Sequence, residues 1–344
     1  MPLLEVQSLN TAFRTDEGVV RPSVDVSFSV EAGETVGVVG ESGSGKSVTA
    51  KALLRLVRPA SAVESGRVLF DGRDILGISE AEVAALRGRE IAMIFQDPMS
   101  SLNPLLSIGE QVSRVWLRHR RGMDAGGKVD ASAASEAREA ALTILRAVRI
   151  PDPEERLSQY PHQLSGGMRQ RVMIAMALVA RPKLVIADEP TTALDVTVEA
   201  QVIELLADLK RQFGMAVVFI SHNLPLIAEI ADRIIVMYAG RIVESGPTDA
   251  VFGAPQHPYT RALLRSIPSG TKRWSALDPI RGEPPVLTEL PPGCPFQARC
   301  DHAAAGCDVE QELRPIGPGH NVGCHRAPIN EPVSRPAATL EEPA

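Results

Sequence analysis

The sequence predicts an α/β fold with an inserted helical subdomain, an attached antiparallel β subdomain, and a small loop-rich, cysteine-containing C-terminal appendage. Three observations predict it. Up to about residue 250, β-type apolar runs alternate with helix-type segments. From Pro104 to Leu164 the strand-like runs disappear. After Ile267 prolines accumulate, and all four cysteines fall between Cys294 and Cys324.

The expected strands are "ETVGVVG" (34–40), "IAMIFQ" (91–96), "KLVIAD" (183–188) and "AVVFIS" (216–221). The last two lack polar alternation, which suits strands buried on both faces. Val198 to Phe213 predicts a helix, with Val202, Leu205, Leu206 and Leu209 on one face. Turns at Asp71-Gly72 and Ala239-Gly240 predict two hairpins. The patch "GMDAGGKVDASAASEAREA" (122–140) predicts a mobile loop between helices of the insertion. The expected boundaries are a core over 1–253 with its helical subdomain at about 98–182, an appendage over 254–327, and a disordered tail over 328–344.

Composition narrows the function. With 36 Lys and Arg against 42 Asp and Glu the net charge is −6, which argues against a nucleic-acid partner. Runs such as "MAVVFI" fall far short of the roughly 18 residues of a membrane span. The N-terminus has no basic stretch followed by an apolar core, so no signal peptide is expected. The expectation is a cytoplasmic chain that meets a membrane only through a partner.

The segment "GESGSGKS" fits G-x-x-x-x-G-K-[S/T], with a strand before it and a helix after. Its glycines let successive backbone N–H groups wrap a phosphate chain, and the helix adds its positive end. Lys46 would reach the β- and γ-phosphates, and Ser47 would ligate Mg²⁺. "KLVIADEP" then ends an apolar strand in two carboxylates. Asp188 can hold Mg²⁺ directly or through water. Glu189 would face the attacking water as general base or orienting group. Gln96 and His222 end neighbouring strands, where ligands of a parallel sheet gather.

A second phosphate-shaped segment, "LSGGMRQR" (164–171), opens a helix with Ser165, Gly166 and Gly167. The upstream loop already occupies one face of its own nucleotide. The second cradle makes sense if aimed across an interface.

On these residues the chain resembles an ATP-binding-cassette protein, the nucleotide-binding subunit of an ABC transporter. The resemblance implies a P-loop cassette that binds ATP through Gly40, Glu41, Ser42, Gly43, Ser44, Gly45, Lys46, Ser47 and Val48. It implies Mg²⁺ at Ser47, Gln96 and Asp188, and catalysis by Lys46, Glu189 and His222. Asp195 in "TALD" matches the D-loop. Phe13, read in the loop after the first strand, matches the aromatic that stacks on adenine. Two cassettes pair head to tail in the family, so Ser165, Gly166, Gly167 and Gln170 would close over the partner's ATP. A monomer is accordingly expected to be a poor ATPase.

"PQHPYTRALLRSIP" (255–268) resembles the hallmark of the importer branch that moves dipeptides, oligopeptides or nickel. "FQDPMSSLNPLLSIGEQ" resembles its D-type subunit. Implied partners are a second, non-identical cassette, two permeases and an extracytoplasmic binding protein. The implied location is the cytoplasmic face of the cell membrane. A soluble cassette ATPase acting on ribosomes or DNA is the rival from another class.

The cysteines are spaced C-x5-C-x6-C-x16-C. Four thiolates from a Pro-rich, core-poor segment suit a bound metal that supplies folding energy, either zinc or an iron–sulfur cluster. Zinc modules usually carry C-x2–4-C pairs, absent here, and longer spacings suit a [4Fe–4S] cube. D-type subunits of the branch resemble this pattern in carrying such a cluster at the positions of Cys294, Cys300, Cys307 and Cys324. The nearby His302, His320 and His325 are expected to be solvated.

Overall fold

Chain order explains how the carboxyl ends of the parallel strands come together. The computed structural model describes residues 1–57, 62–120, 129–191, 195–267 and 279–329. The chain opens with β1 (Leu4–Thr15), β2 (Gly18–Val30), β3 (Thr35–Val39), α1 (Lys46–Leu53), β4 (Ala62–Phe70), β5 (Arg73–Asp74), α2 (Glu80–Leu86) and β6 (Ile91–Ile94). Helical elements follow: α3 (Pro98–Ser101), α4 (Ile108–Arg120), α5 (Ala131–Ala147), α6 (Pro153–Arg156) and α7 (Gly166–Leu178). The α/β alternation resumes with β7 (Leu184–Asp188), α8 (Val196–Phe213), β8 (Ala216–Ile220), α9 (Leu224–Ile230), β9 (Arg233–Tyr238) and β10 (Arg241–Pro247). Last come α10 (Thr248–Gly253), α11 (Pro258–Arg265), β11 (Arg314–Gly317) and β12 (His320–Val322).

Two sheets result. A four-stranded antiparallel sheet has the order β2-β1-β4-β5, and an eight-stranded sheet the order β11-β12-β10-β9-β3-β8-β7-β6. The five strands from β9 to β6 run parallel. Their lack of polar alternation has a direct cause, because each feeds two cores. In β8, Val217 and Phe219 join the core under the helices, while Ala216, Val218 and Ile220 join the core between the sheets. The expected hairpin turns at Asp71-Gly72 and Ala239-Gly240 both form, with positive φ at each residue.

Three expectations change. Phe13 is not in a loop: β1 continues past it and pairs it with Val20 and Ala62, so it is a half-buried strand residue. Residues 131–140 of the expected mobile patch are helical. Asp130 caps α5 by accepting from Ala133 N–H at 2.8 Å, and Ala133, Ala137 and Ala141 form a buried stripe. Residues 122–128 of that patch lie outside the described residues, as do Thr192 to Leu194 of "TALD" and the tail from 330 on. The appendage does not hang free of the core. Its hairpin β11–β12 extends the eight-stranded sheet through Glu244↔Val322 and Ser245↔Asn321.

His320 is the third. It is buried on β12, and its Nε2 lies 2.8 Å from Glu244 Oε1. Glu244 is wholly buried on β10 and also accepts from the N–H groups of Gln256 and His257, each at 2.8 Å. One carboxylate thus joins the sheet, the start of α11 and the appendage. Among the described residues no helix is long and apolar enough to cross a membrane.

Candidate functional site

The loop between β3 and α1 curls tightly because its glycines allow it. Gly45 is the N-cap of α1 with φ +99°, and a Cβ there would lie 1.9 Å from the Pro22 carbonyl oxygen. Gly45→Ala is therefore expected to destabilise the chain by about 3 kcal/mol through backbone strain and overpacking, measured by urea unfolding. An unchanged midpoint would refute that account of the turn.

Inside the curl, Lys46 is buried and donates from Nζ to the carbonyls of Gly40 at 2.8 Å and Glu41 at 2.9 Å. Burial lowers its pKa, opposed by the nearby Glu189, Asp188 and Glu41 carboxylates. Ser47 donates from Oγ to Asp188 Oδ1 at 2.6 Å. Burial raises the Asp188 pKa, and the Ser47 hydroxyl works against it. A hydroxyl and a carboxylate meeting at one point, with Gln96 close by, form an all-oxygen donor set of the kind Mg²⁺ prefers.

Glu189 follows Asp188 in a left-handed conformation, φ +47°, unusual for a residue with a side chain. Its N–H is held by the Ile220 carbonyl at the end of β8. Its Oε2 accepts from Gln96 Nε2 at 3.0 Å and lies 3.6 Å from His222 Nδ1. The strand ends thus gather Lys46, Ser47, Gln96, Asp188, Glu189 and His222 in one place. A cleft runs outward from Asp188 and Gln96, past Phe95 and Ser100 toward Met173.

The Ser165–Gln170 segment is placed in the helical insertion, not at this loop. Ser165 is the exposed N-cap of α7 and accepts from Met168 N–H at 3.3 Å. Gly166 is exposed and open, whereas a Cβ on Gly167 would sit 3.0 Å from Val198 Cγ1. Gln170 is buried, and its Nε2 has no hydrogen-bond partner among the described residues. Asp195 caps α8 by accepting from Val198 N–H at 2.9 Å.

Two residues absent from the expected site touch the loop. Tyr259 of α11 accepts at its hydroxyl from Glu41 N–H at 2.8 Å. Arg299, from the appendage, forks onto the Glu41 carboxylate at 2.7 and 3.1 Å and reaches Tyr238 OH at 3.2 Å. Burial raises the pKa of Tyr259, so its hydroxyl keeps its proton. The motif "HPYT" signalled Tyr259 without saying what it touched. Nothing local marked Arg299.

The four cysteines are free thiols that line one small cavity together with the His257 and His302 rings. Among the described residues no group of three or more His, Cys, Asp or Glu is disposed to hold a metal ion. Burial pushes the Cys294, Cys300 and Cys324 thiols up, Cys300 to about 11. Yet backbone N–H groups reach two of the sulfurs: His302 donates to Cys300 Sγ at 3.3 Å and Ala304 to Cys307 Sγ at 3.5 Å. Such donors favour sulfur anions.

A family model described as ABC transporter matches residues 24–192, and one described as oligopeptide/dipeptide transporter, C-terminal region, matches residues 243–307. The dipeptide transport ATP-binding protein DppD of Bacillus subtilis is 46% identical over 324 residues, covering 94% of each chain. The oligopeptide transport ATP-binding protein OppD of Salmonella typhimurium is 47% identical over 329 residues, 96% of this chain and 95% of its own. Among solved structures, a dimeric ATP-binding cassette in a post-hydrolysis state with ADP and Pi matches with a TM-score of 0.61 at 28% identity. That match covers 71% of this chain and 98% of the other. With relatives matched across nearly their whole length, the chain belongs to the ABC transporter family, among the ATP-binding proteins that carry the oligopeptide/dipeptide transporter C-terminal region.

Proposed function

We propose that this chain is the ATP-binding and ATP-hydrolysing subunit that energises an importer of di- or oligopeptides. The observation that carries the reading is its near full-length likeness to two ATP-binding proteins named for dipeptide and oligopeptide transport. Residues 1–253 form the cassette on this reading and 254–327 its importer-type C-terminal domain.

The site chemistry follows from charge and position. The loop from Gly40 to Val48 cradles the phosphates, and Lys46 leaves the loop carbonyls to neutralise the transferring phosphoryl group. Phe13, near the tip of the β1–β2 hairpin, offers its ring to adenine. Mg²⁺, held by Ser47, Gln96 and Asp188 when nucleotide is bound, supplies charge neutralisation at the phosphates. Glu189 takes the proton of the attacking water at Oε2, the oxygen already held by Gln96 and facing His222. His222 orients that carboxylate and the water.

Ser165, Gly166, Gly167 and Gln170 serve the ATP of a second, non-identical cassette, and Asp195 sits near that interface. Gly167→Ala should then lower the ATPase of the assembled pair several-fold, because the new methyl pushes α7 off Val198. Its own nucleotide affinity should stay unchanged. Equal losses in both would contradict the cross-interface role.

Two permeases and an extracytoplasmic binding protein complete the proposed importer, with this chain peripheral on the cytoplasmic face of the membrane. Exposed Phe95, Met99 and Leu105, on either side of Gln96 in the chain, support a permease contact there. Closure and reopening of the paired cassettes would reach the permeases through this segment.

The four cysteines are proposed to hold a [4Fe–4S] cluster, with zinc as the alternative. Amide donors at the Cys300 and Cys307 sulfurs support a thiolate site, and a bound cation would reverse the thiol pKa shifts that burial causes. All four cysteines line one cavity, and the longer spacings between them are what favour a cluster over a lone zinc ion.

Co-purification of the tagged chain from detergent-solubilised native membranes, with mass spectrometry of its partners, tests the importer reading. Two multi-span permeases and a second cassette are expected. Recovery of the chain alone, or with ribosomes, would overturn it.

A further inference from the structure

We propose that α11 and Arg299 tie the thiol cavity to the phosphate loop, so that the group filling the cavity sets the position of Glu41 and with it the affinity for ATP. The inference rests on the reading of these thiols as a metal centre.

His257 and Tyr259, two residues apart at the start of α11, serve different sites. The His257 ring is wholly buried and lines the thiol cavity. Its Nδ1 accepts from Tyr259 N–H at 3.0 Å, which places the ring proton on Nε2. That Nε2 has no hydrogen-bond partner among the described residues. A buried donor left unpaired is destabilising. A metal-bound thiolate or sulfide in the cavity supplies the missing acceptor, as outer-shell donors do at metal sites. Tyr259, in the first turn of the same helix, accepts from the Glu41 N–H of the phosphate loop at 2.8 Å.

The second tie runs through the spacer between the first two cysteines. Phe296 packs edge-on against Tyr238 and Tyr259, each at a centroid distance of 5.3 Å. Arg299, immediately before Cys300, holds the Glu41 carboxylate by two hydrogen bonds, with its side chain only 4% exposed. The spacer is therefore bounded by sulfur at both ends and held to the phosphate loop through its last residue, Arg299. Filling the cavity fixes Arg299, and Arg299 fixes Glu41. Coupling of this kind is reciprocal, so nucleotide must stabilise the filled cavity by the same factor. Arg299 and Tyr259 act as positioning residues.

The test uses the full-length chain reconstituted without oxygen, once with ferrous iron and sulfide and once with zinc. Affinity for a fluorescent ATP analogue is compared before and after chelation, and metal loss to a chelator is timed with and without the analogue. Stripping should weaken nucleotide binding about 10-fold, and the analogue should slow metal loss. Arg299→Gln should retain metal yet lose both effects, and Arg299→Lys, which keeps the charge without the fork, should restore part. His257→Asn, which still caps α11 with a shorter side chain, should lose metal roughly 10-fold faster. Retained metal with equal nucleotide affinity before and after stripping, and no effect of the analogue on metal loss, would overturn the coupling alone. Failure to retain either metal would overturn it together with the metal-centre reading.

Discussion

Glu189→Gln should bind ATP with nearly wild-type affinity and hydrolyse it roughly 10²–10⁴-fold more slowly. The amide keeps the side chain's volume, and its oxygen can still accept the Gln96 hydrogen bond that Oε2 accepts at 3.0 Å. What it loses is the capacity to take a proton from water. The left-handed backbone at Glu189, φ +47°, is held by Ile220 and does not depend on the carboxylate. Binding and hydrolysis should therefore separate cleanly, and the paired cassettes should accumulate closed around unhydrolysed ATP. Single-turnover hydrolysis in the assembled importer is the measurement. A rate near wild type would transfer the base role away from Glu189.

Glu244→Leu should be the most damaging single change away from the nucleotide site, destabilising the fold by about 3–5 kcal/mol. Glu244 is wholly buried and accepts from Gln256 N–H, from His257 N–H and from the His320 ring. Leucine fills similar space but strands all three partners in a core without water. The loss should concentrate where the carboxylate joins elements, at β12 and the start of α11. Hydrogen exchange should show those amides opening far more readily, with β7 and β8 still protected. Unchanged protection at β12 and α11 would mean that the carboxylate is not what fastens the appendage to the sheet.

These two residues differ in how they could be found. Glu189 was legible because an apolar strand ending in "DE", downstream of a glycine-rich loop, is a local pattern with a single physical use. Glu244 was not, since its partners lie 12, 13 and 76 residues away. Phe13 was misplaced because strand length depends on pairing with β2 and β4, which no run of residues records. The alanine-rich start of α5 was misread because its glycine and serine neighbours suggested a loop. A single cap at Asp130 and a stripe packed on the helical core decide otherwise.

By itself the sequence determined the parallel strands, the two hairpin turns, the phosphate loop and the carboxylates at the strand ends. Each depends on residues within one turn or one strand, where spacing fixes geometry. Only the tertiary structure decided that the appendage extends the main sheet, that His320 is buried against Glu244, and that Arg299 grips Glu41 across 258 residues of chain. Contacts between distant segments arise when burial brings surfaces together, and the pairing partner leaves no periodic trace beside either residue.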